Sequence, residues 1–166
     1  RMFASIYPFF QRNSDLTIVT NEGLSAIVSA NGGTPFILID PLPVFNKPIN
    51  YTLSDNIIIT FICSFAEDEL FVEVIEAVKN IPSNISVYIT GNFQKAISSI
   101  PDDHSSKVVF TGYLPEDGFV DLLAKSHFIM DLTTLENCLV CGAYEGVAFQ
   151  IPLILSDSDA LKTIFF

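Results

Sequence analysis

The polar groups that could bind or react cluster after a predicted strand over residues 128–132. That strand leads into a loop carrying a carboxylate and the hydroxyls of Thr133 and Thr134. The loop enters a predicted helix over residues 138–150 at Gly142. Small residues at a helix start let an anion approach backbone N–H groups, and the helix dipole adds a favourable potential. The segment therefore predicts a site for a phosphate-like anion.

Glu145 follows Gly142 in this segment, and we expect it in the first turn of the helix. A carboxylate one turn into such a helix can accept two hydrogen bonds from a ribose diol, as acids do in other dinucleotide sites. A first-turn acid can equally do no more than complement the helix dipole. The residues alone leave both interpretations of Glu145 open.

Other candidate residues form no complete site. Cys138 and Cys141 have the spacing of half a zinc site, but no second Cys or His pair completes it. The pair is compatible with redox chemistry or with two small residues packing at a helix start. His104 and His127 stand apart from other candidates. Phosphate-loop, dinucleotide-fingerprint and nucleophile-elbow motifs are absent from the sequence.

Composition narrows the classes of partner. The chain has 166 residues, 49% of them hydrophobic, and a net charge of −11. Such a chain is long enough for a buried core, and its charge disfavours nucleic acids and anionic bilayers as partners. Its apolar runs are too short to span a membrane. Three cysteines and no recognisable signal peptide predict a reducing, cytoplasmic location.

Short apolar runs alternate with amphipathic stretches along most of the chain. Because the runs are continuous rather than alternating, they predict a parallel sheet covered on both faces. Ligands of such sheets bind beyond the carboxyl ends of the strands. Predicted strands lie at 16–20, 36–39, 57–63, 86–90, 108–110, 128–132 and 153–156. The first predicted helix begins after the Asn21 cap. Further helices are predicted over residues 67–80, 93–99, 116–126 and 138–150, and a last one begins near Asp159. Pro115 is predicted at the first helical position of the helix over residues 116–126. Residues 40–54, with three prolines, predict a linker.

The segment from Asp131 to Ser158 resembles the family-4, or group 1, retaining glycosyltransferases of the GT-B fold. Glu145 matches the later acid of that family's acid pair, and residues 151–157 match the Pro-led strand and Ser-Asp that follow. In the family this acid holds the ribose, and the earlier acid meets the donor sugar. Residues 108–115 look like the family loop whose backbone contacts the base, which implies base contacts at Gly112, Tyr113 and Leu114.

The sequence departs from the family pattern in two places. The position eight residues before Glu145 is Asn137, and Glu136 lies one further back, so either side chain is a candidate for the donor sugar. The basic pair that neutralises the diphosphate after the domain's first strand is missing. The acidic segment 64–69 replaces it, which leaves phosphate binding to the helix start with help from Lys95.

The resemblance implies a Rossmann-like, doubly wound α/β domain over residues 46–166. Residues 1–45 then form a remnant of the preceding GT-B domain and the linker, and we expect a fragment that lacks its own acceptor site. The implied function is sugar transfer with retention from a nucleotide-sugar to a glycan or lipid-linked acceptor, in polysaccharide or glycoconjugate biosynthesis. No metal or other cofactor is implied.

Three alternatives to this function stay open. The chain could be a non-catalytic GT-B-like nucleotide-binding or regulatory module, which the missing basic pair favours. It could be another GT-B enzyme, such as a nucleotide-sugar epimerase, although the two isolated histidines are poor candidates for its acid–base groups. It could also be an unrelated doubly wound domain, in which Glu145 is only a dipole partner.

Overall fold

The computed structural model describes residues 2–45 and 55–166, which divide into two compact units. One unit comprises the residues up to Pro41 together with Glu136–Leu139 and Asp157–Phe166. The other comprises Leu42–Leu135 and Val140–Ser156. The predicted boundary between residues 45 and 46 and most of the predicted linker lie outside the described residues.

The larger unit is built on a five-stranded parallel sheet. In chain order its strands are β3 (Ile57–Phe61), β4 (Ile85–Thr90), β5 (Val108–Gly112), β6 (Phe128–Asp131) and β7 (Leu153–Leu155). The first two strands of the chain, β1 (Thr17–Val19) and β2 (Pro35–Ile37), belong to the other unit. The order in the five-stranded sheet is β5-β4-β3-β6-β7, so the direction of winding reverses between β3 and β6. This confirms the predicted α/β fold with a parallel sheet.

Helices cover both faces of this sheet. Because side chains alternate along a strand, Ile129 and Met130 of β6 point to opposite faces and pack in two separate cores. The connecting helices are α3 (Phe71–Val78), a 3₁₀ helix (Phe93–Ser99), α4 (Glu116–Leu123) and α5 (Cys141–Ala148). The first core includes Val74 and Ile75 of α3, both buried. The second includes Leu123 of α4.

The smaller unit contains a two-stranded parallel sheet and three helices. Its elements are α1 (Met2–Asn13), β1 (Thr17–Val19), α2 (Glu22–Ala30), β2 (Pro35–Ile37) and α6 (Asp159–Phe165). Asn21 caps α2 as predicted, since its side chain accepts a hydrogen bond from the Leu24 N–H at 3.0 Å. No helix in the described residues is both long and apolar enough to cross a bilayer.

The structure corrects two helix starts and the place of Pro115. The helix predicted from residue 67 begins at Phe71, because the Glu69 carboxylate bonds to the preceding loop instead. Pro115 is the residue before α4 rather than its first residue. The helix predicted over residues 138–150 spans Cys141–Ala148, so Glu145 lies beyond its first turn.

Candidate functional site

The carboxyl ends of β3 and β6 meet where the winding of the sheet reverses. In open α/β sheets this reversal opens a crevice, and ligands bind there. The segment after β3 runs over residues 62–70, and the segment after β6 begins at residue 132. The predicted site segment 131–142 therefore starts at the expected edge of the sheet.

The loop after β3 is organised by the Glu69 carboxylate. It accepts hydrogen bonds from the N–H of Ser64 at 2.9 and 3.0 Å and from the N–H of Ala66 at 2.9 Å. The Ser64 hydroxyl donates to it at 3.1 Å, and the Cys63 thiol donates at 3.2 Å. Burial is the main reason that the pKa of Cys63 lies above its ordinary value. The acidic segment noted in the sequence is thus a folded loop with an internal carboxylate.

Thr133 and Thr134 are both held against Asp68. The buried Thr133 donates its hydroxyl to the Asp68 carboxylate at 2.6 Å, and the Thr134 N–H donates to the Asp68 carbonyl at 2.8 Å. The Thr133 N–H also donates to the Ser156 hydroxyl at 2.9 Å. Thr133 therefore fixes the loop after β6, whereas the side chain of Thr134 is exposed at its surface.

Asp131 joins the end of β6 to the start of α5. The residue is only 6% exposed, and its Oδ2 accepts the N–H of Gly142 at 2.8 Å. A Cβ on Gly142 would lie 2.6 Å from the same oxygen, so the close approach needs glycine. Burial raises the pKa of Asp131 to about 7, and the neighbouring acids Glu69, Glu145 and Asp68 also raise it. The Gly142 N–H predicted for an anion thus already binds a carboxylate of the chain.

Glu145 carries an oxygen without a partner. Its Oε2 is buried, and no group in the described part of the chain forms a hydrogen bond with it. Burial raises the pKa of Glu145 to about 7. Because Glu145 lies in the second turn of α5, the dipole interaction, which fades within the first turn, does not account for a buried acid here. A buried carboxylate oxygen is costly unless a ligand or water supplies donors.

A cavity of about 480 Å³ lies at the carboxyl ends of β3, β4 and β5. Tyr113 and Leu114, predicted to contact a base, line it together with Lys95. Gly112 precedes them at φ +69°, and Tyr113 is 84% exposed. The volume of this cavity falls within the range of small-molecule sites. The structure therefore brings the predicted base loop and Lys95 to one cavity.

Glu136 and Asn137 belong to the smaller unit. Glu136 accepts the N–H of Asp159, the first residue of α6, at 2.8 Å. The Asn137 carbonyl accepts the side-chain amide of Asn21 at 3.0 Å, and its side chain lies against Gly23 at the start of α2. Both residues thus contact helix starts of their own unit. Their assignment to a donor sugar stays a prediction from the sequence.

The two histidines contact other residues of the fold, and the three cysteines are reduced. The Nδ1 of His127 accepts the Ile58 N–H at 3.1 Å, and His104 packs edge-on against Phe110. All three cysteines are described by the structure, and they form no disulfide. Within residues 2–45 and 55–166, no group of three or more His, Cys, Asp or Glu side chains could hold a metal ion.

The sequence alone does not reveal the hydrogen bonds that the carboxylates of Asp68, Glu69 and Asp131 form within the site. The acidic run of residues 64–69 marks the first two as charges but does not reveal that they bond to loop amides and hydroxyls. Asp131 at the end of a strand, eleven residues before Gly142, was visible as a carboxylate entering the loop. The signal for its role was the glycine, whose missing side chain accommodates that carboxylate.

Comparison with known proteins supports the fold. No protein-family model matches the sequence. No curated protein matches it either. Solved structures similar to the chain include a point mutant of S. aureus TarM in complex with fondaparinux, alpha-GlcNAc-glycerol and UDP, at 14% identity and a TM-score of 0.73 over 96% of this chain. Anabaena HepE in complex with UDP and glucose matches at 13% identity and a TM-score of 0.76, again over 96% of this chain.

The lipopolysaccharide outer core galactosyltransferase WaaB matches at 13% identity and a TM-score of 0.66 over 87% of this chain. The chain spans 33% of the TarM structure, 49% of HepE and 44% of WaaB. These neighbours are glycosyltransferases of the GT-B fold. At such low identity the similarity concerns architecture, and this chain has the α/β, parallel-sheet fold of GT-B glycosyltransferase domains.

Proposed function

We propose that this chain supplies the donor-binding part of a glycosyltransferase and holds a nucleotide-sugar at the carboxyl edge of its five-stranded sheet. The observation that carries the proposal is the buried Oε2 of Glu145, which has no hydrogen-bond partner among the described residues. The two similar structures with bound UDP, those of TarM and HepE, support the choice of a nucleotide as the missing partner.

Glu145 has the chemistry that a ribose requires. The 2′- and 3′-hydroxyls are neighbouring donors, and a carboxylate can accept both at once. Hydrogen bonds to a charged acceptor are about twice as strong as neutral ones. Because burial disfavours the ionised form of Glu145, two donated hydrogen bonds would restore that form and lower the raised pKa.

The base and the phosphates fit different parts of the same edge. We assign the base to the loop of Gly112, Tyr113 and Leu114, since this loop leads into the 480 Å³ cavity. Lys95, which lines the same cavity, is placed to offset part of the phosphate charge. The start of α5 near Gly142 supplies the helix dipole, although the Gly142 N–H already donates to Asp131.

In the proposed transfer step, the sugar passes with retention from the nucleotide to a hydroxyl of a glycan or lipid-linked acceptor, as in polysaccharide or glycoconjugate biosynthesis on the cytoplasmic side. The acceptor oxygen bonds to the anomeric carbon as the bond from that carbon to the nucleoside diphosphate breaks, and the acceptor proton passes to the departing diphosphate. The departing diphosphate would be stabilised by preorganised N–H groups and Lys95, without a metal ion. Thr133 and Thr134 lie at the carboxyl end of β6, which is where we place the donor sugar.

The charge of the site favours a second candidate function. Glu69, Glu145 and Asp68 each raise the pKa of Asp131 by their negative charge, so a diphosphate meets several acids at this edge. A non-catalytic nucleotide-binding or regulatory module needs less stabilisation of a leaving group than a transferase does. Such a module would bind a nucleotide through Glu145 and leave its sugar bond intact.

Titration calorimetry tests donor binding directly. UDP-, GDP- and ADP-glucose are titrated into the chain, with glucose 1-phosphate as a control that lacks the nucleoside. We expect one nucleotide-sugar to bind with a dissociation constant below about 1 mM, and the control not to bind. Binding of none of the three at millimolar concentration would overturn the proposal. UDP that binds as tightly as UDP-glucose, so that the sugar adds nothing to the affinity, would favour the module.

A further inference from the structure

The loop over residues 63–66 has the geometry of an anion-binding nest. Phe65 adopts the left-handed conformation at φ +62°, which is uncommon for a bulky residue. This conformation turns the N–H groups of Ser64 and Ala66 towards one point, as in the backbone nests that bind phosphate. Ser64 is exposed, so the nest is open to solvent.

The Glu69 carboxylate fills this nest. Its two oxygens accept both N–H groups at 2.9 to 3.0 Å, as well as the Ser64 hydroxyl at 3.1 Å and the Cys63 thiol at 3.2 Å. A phosphate oxygen would accept hydrogen bonds from the same kinds of donor, namely backbone amides and a hydroxyl. The loop therefore carries an anion of its own.

Residues of the nest line two cavities. Cys63 and Ser64 line the 480 Å³ cavity at the carboxyl ends of β3, β4 and β5. Ala66 and Glu69 line a neighbouring cavity of about 600 Å³. Lys95 lines both cavities. A phosphate group drawn to Lys95 thus arrives beside the Ser64 N–H, which already donates to Glu69.

We propose that Glu69 is a built-in competitor for the phosphate groups of the ligand. While its carboxylate fills the nest, the loop cannot bind a phosphate, and its charge repels one nearby. When the side chain turns out, the N–H groups of Ser64 and Ala66 bind the phosphate in its place. That this phosphate belongs to a nucleotide-sugar rests on the proposed function, whereas the competition itself does not.

The test uses inorganic pyrophosphate as the probe and two variants of equal charge. Glu69→Ala empties the nest, and Glu67→Ala removes one negative charge from an exposed position on the same segment. We expect pyrophosphate to bind Glu69→Ala about tenfold more tightly than the wild-type chain, and Glu67→Ala with less than a threefold change. Amide NMR signals of Ser64 and Ala66 should shift with pyrophosphate in Glu69→Ala.

Equal affinities in the two variants, or shifts that avoid Ser64 and Ala66, would overturn the proposal. If Glu69→Ala is too unstable for titration, its melting temperature in acetate provides the second readout. Acetate that fills the nest should raise the melting temperature of Glu69→Ala more than that of Glu67→Ala, and an equal rise contradicts the proposal. Because pyrophosphate carries neither ribose nor base, the result does not depend on whether the chain binds a nucleotide-sugar.

Discussion

Glu69 and Glu145 are acids at the same edge of the sheet, and their carboxylates are in opposite situations. Glu69 accepts hydrogen bonds from two backbone N–H groups, a hydroxyl and a thiol. Glu145 has a buried oxygen that no described residue contacts by a hydrogen bond. The first carboxylate completes the folded loop, whereas the second costs free energy until a donor arrives. The contrast separates an acid that serves the structure from one available to a ligand.

The largest effect is expected where Gly142 meets Asp131. In Gly142→Ala the new methyl group would lie 2.6 Å from Asp131 Oδ2 and 2.9 Å from Ile62 Cδ1. We expect this overpacking to lower the free energy of unfolding by about 2–3 kcal/mol. Urea denaturation measures the loss. Gly118→Ala is the control, because its nearest contact is 3.9 Å away. Equal stability of the two variants would show that α5 does not approach β6 as closely as described.

Glu69 is expected to stabilise the folded chain. Glu69→Ala leaves the N–H groups of Ser64 and Ala66 without their acceptor, so we expect a loss of about 1–3 kcal/mol in buffer free of small anions. Glu67→Ala should stay within about 0.5 kcal/mol of the wild type, as exposed substitutions usually do. Denaturation curves of both variants test the difference. If Glu69→Ala is as stable as the wild type, the hydrogen bonds of Glu69 do not stabilise the folded chain.

Unlike Glu69, the ionised Glu145 carboxylate should lower the stability of the ligand-free chain. Its pKa is about 7 in the folded chain against an ordinary value of 4.5, so the folded state binds more protons between these values. Stability is therefore expected to fall as pH rises from about 4.5 to 7. Asp131, with a pKa of about 7 against 3.8, contributes in the same direction.

Glu145→Gln removes one of these two contributions. We expect the variant to match the wild type near pH 4, below both the unfolded and the folded pKa of Glu145, and to melt a few degrees higher at pH 8, since about 1 kcal/mol moves the melting temperature by 2–4 °C in a chain of this size. Thermal melts across this pH range measure the effect, with the exposed substitution Asp117→Asn as a control for net charge. A variant that is less stable than the wild type at pH 8 would show that the Glu145 charge is satisfied in the free chain.

The sequence predicted the sheet better than it predicted the site. Continuous apolar runs are enough to predict parallel strands covered on both faces, and the Asn21 cap follows from residue type alone. The start of α3 was predicted four residues too early, because Glu69 uses its carboxylate for a contact within the preceding loop. The helix α1 was not predicted, and its sequence contains Pro8, which usually disfavours a helix interior.

The site depends on contacts between residues far apart in sequence. Sequence spacing places Glu145 close to the start of a helix, but only the folded chain reveals that one of its oxygens is buried without a partner. Likewise, the bond from Gly142 to Asp131 depends on how α5 packs against the end of β6. Residue type is therefore enough to identify Glu145 as a candidate ligand-binding acid, whereas packing determines that one of its oxygens is buried without a hydrogen-bond partner.

Binding of the ribose hydroxyls by Glu145 is tested most directly by a thermodynamic cycle. Affinities of the wild type and Glu145→Gln are measured for UDP and for its 2′,3′-dideoxy analogue at pH 8, where Glu145 is ionised. We predict about a tenfold loss for UDP on substitution, equivalent to about 1.4 kcal/mol, and no loss for the dideoxy analogue. An equal effect of the substitution on both nucleotides would contradict the claim.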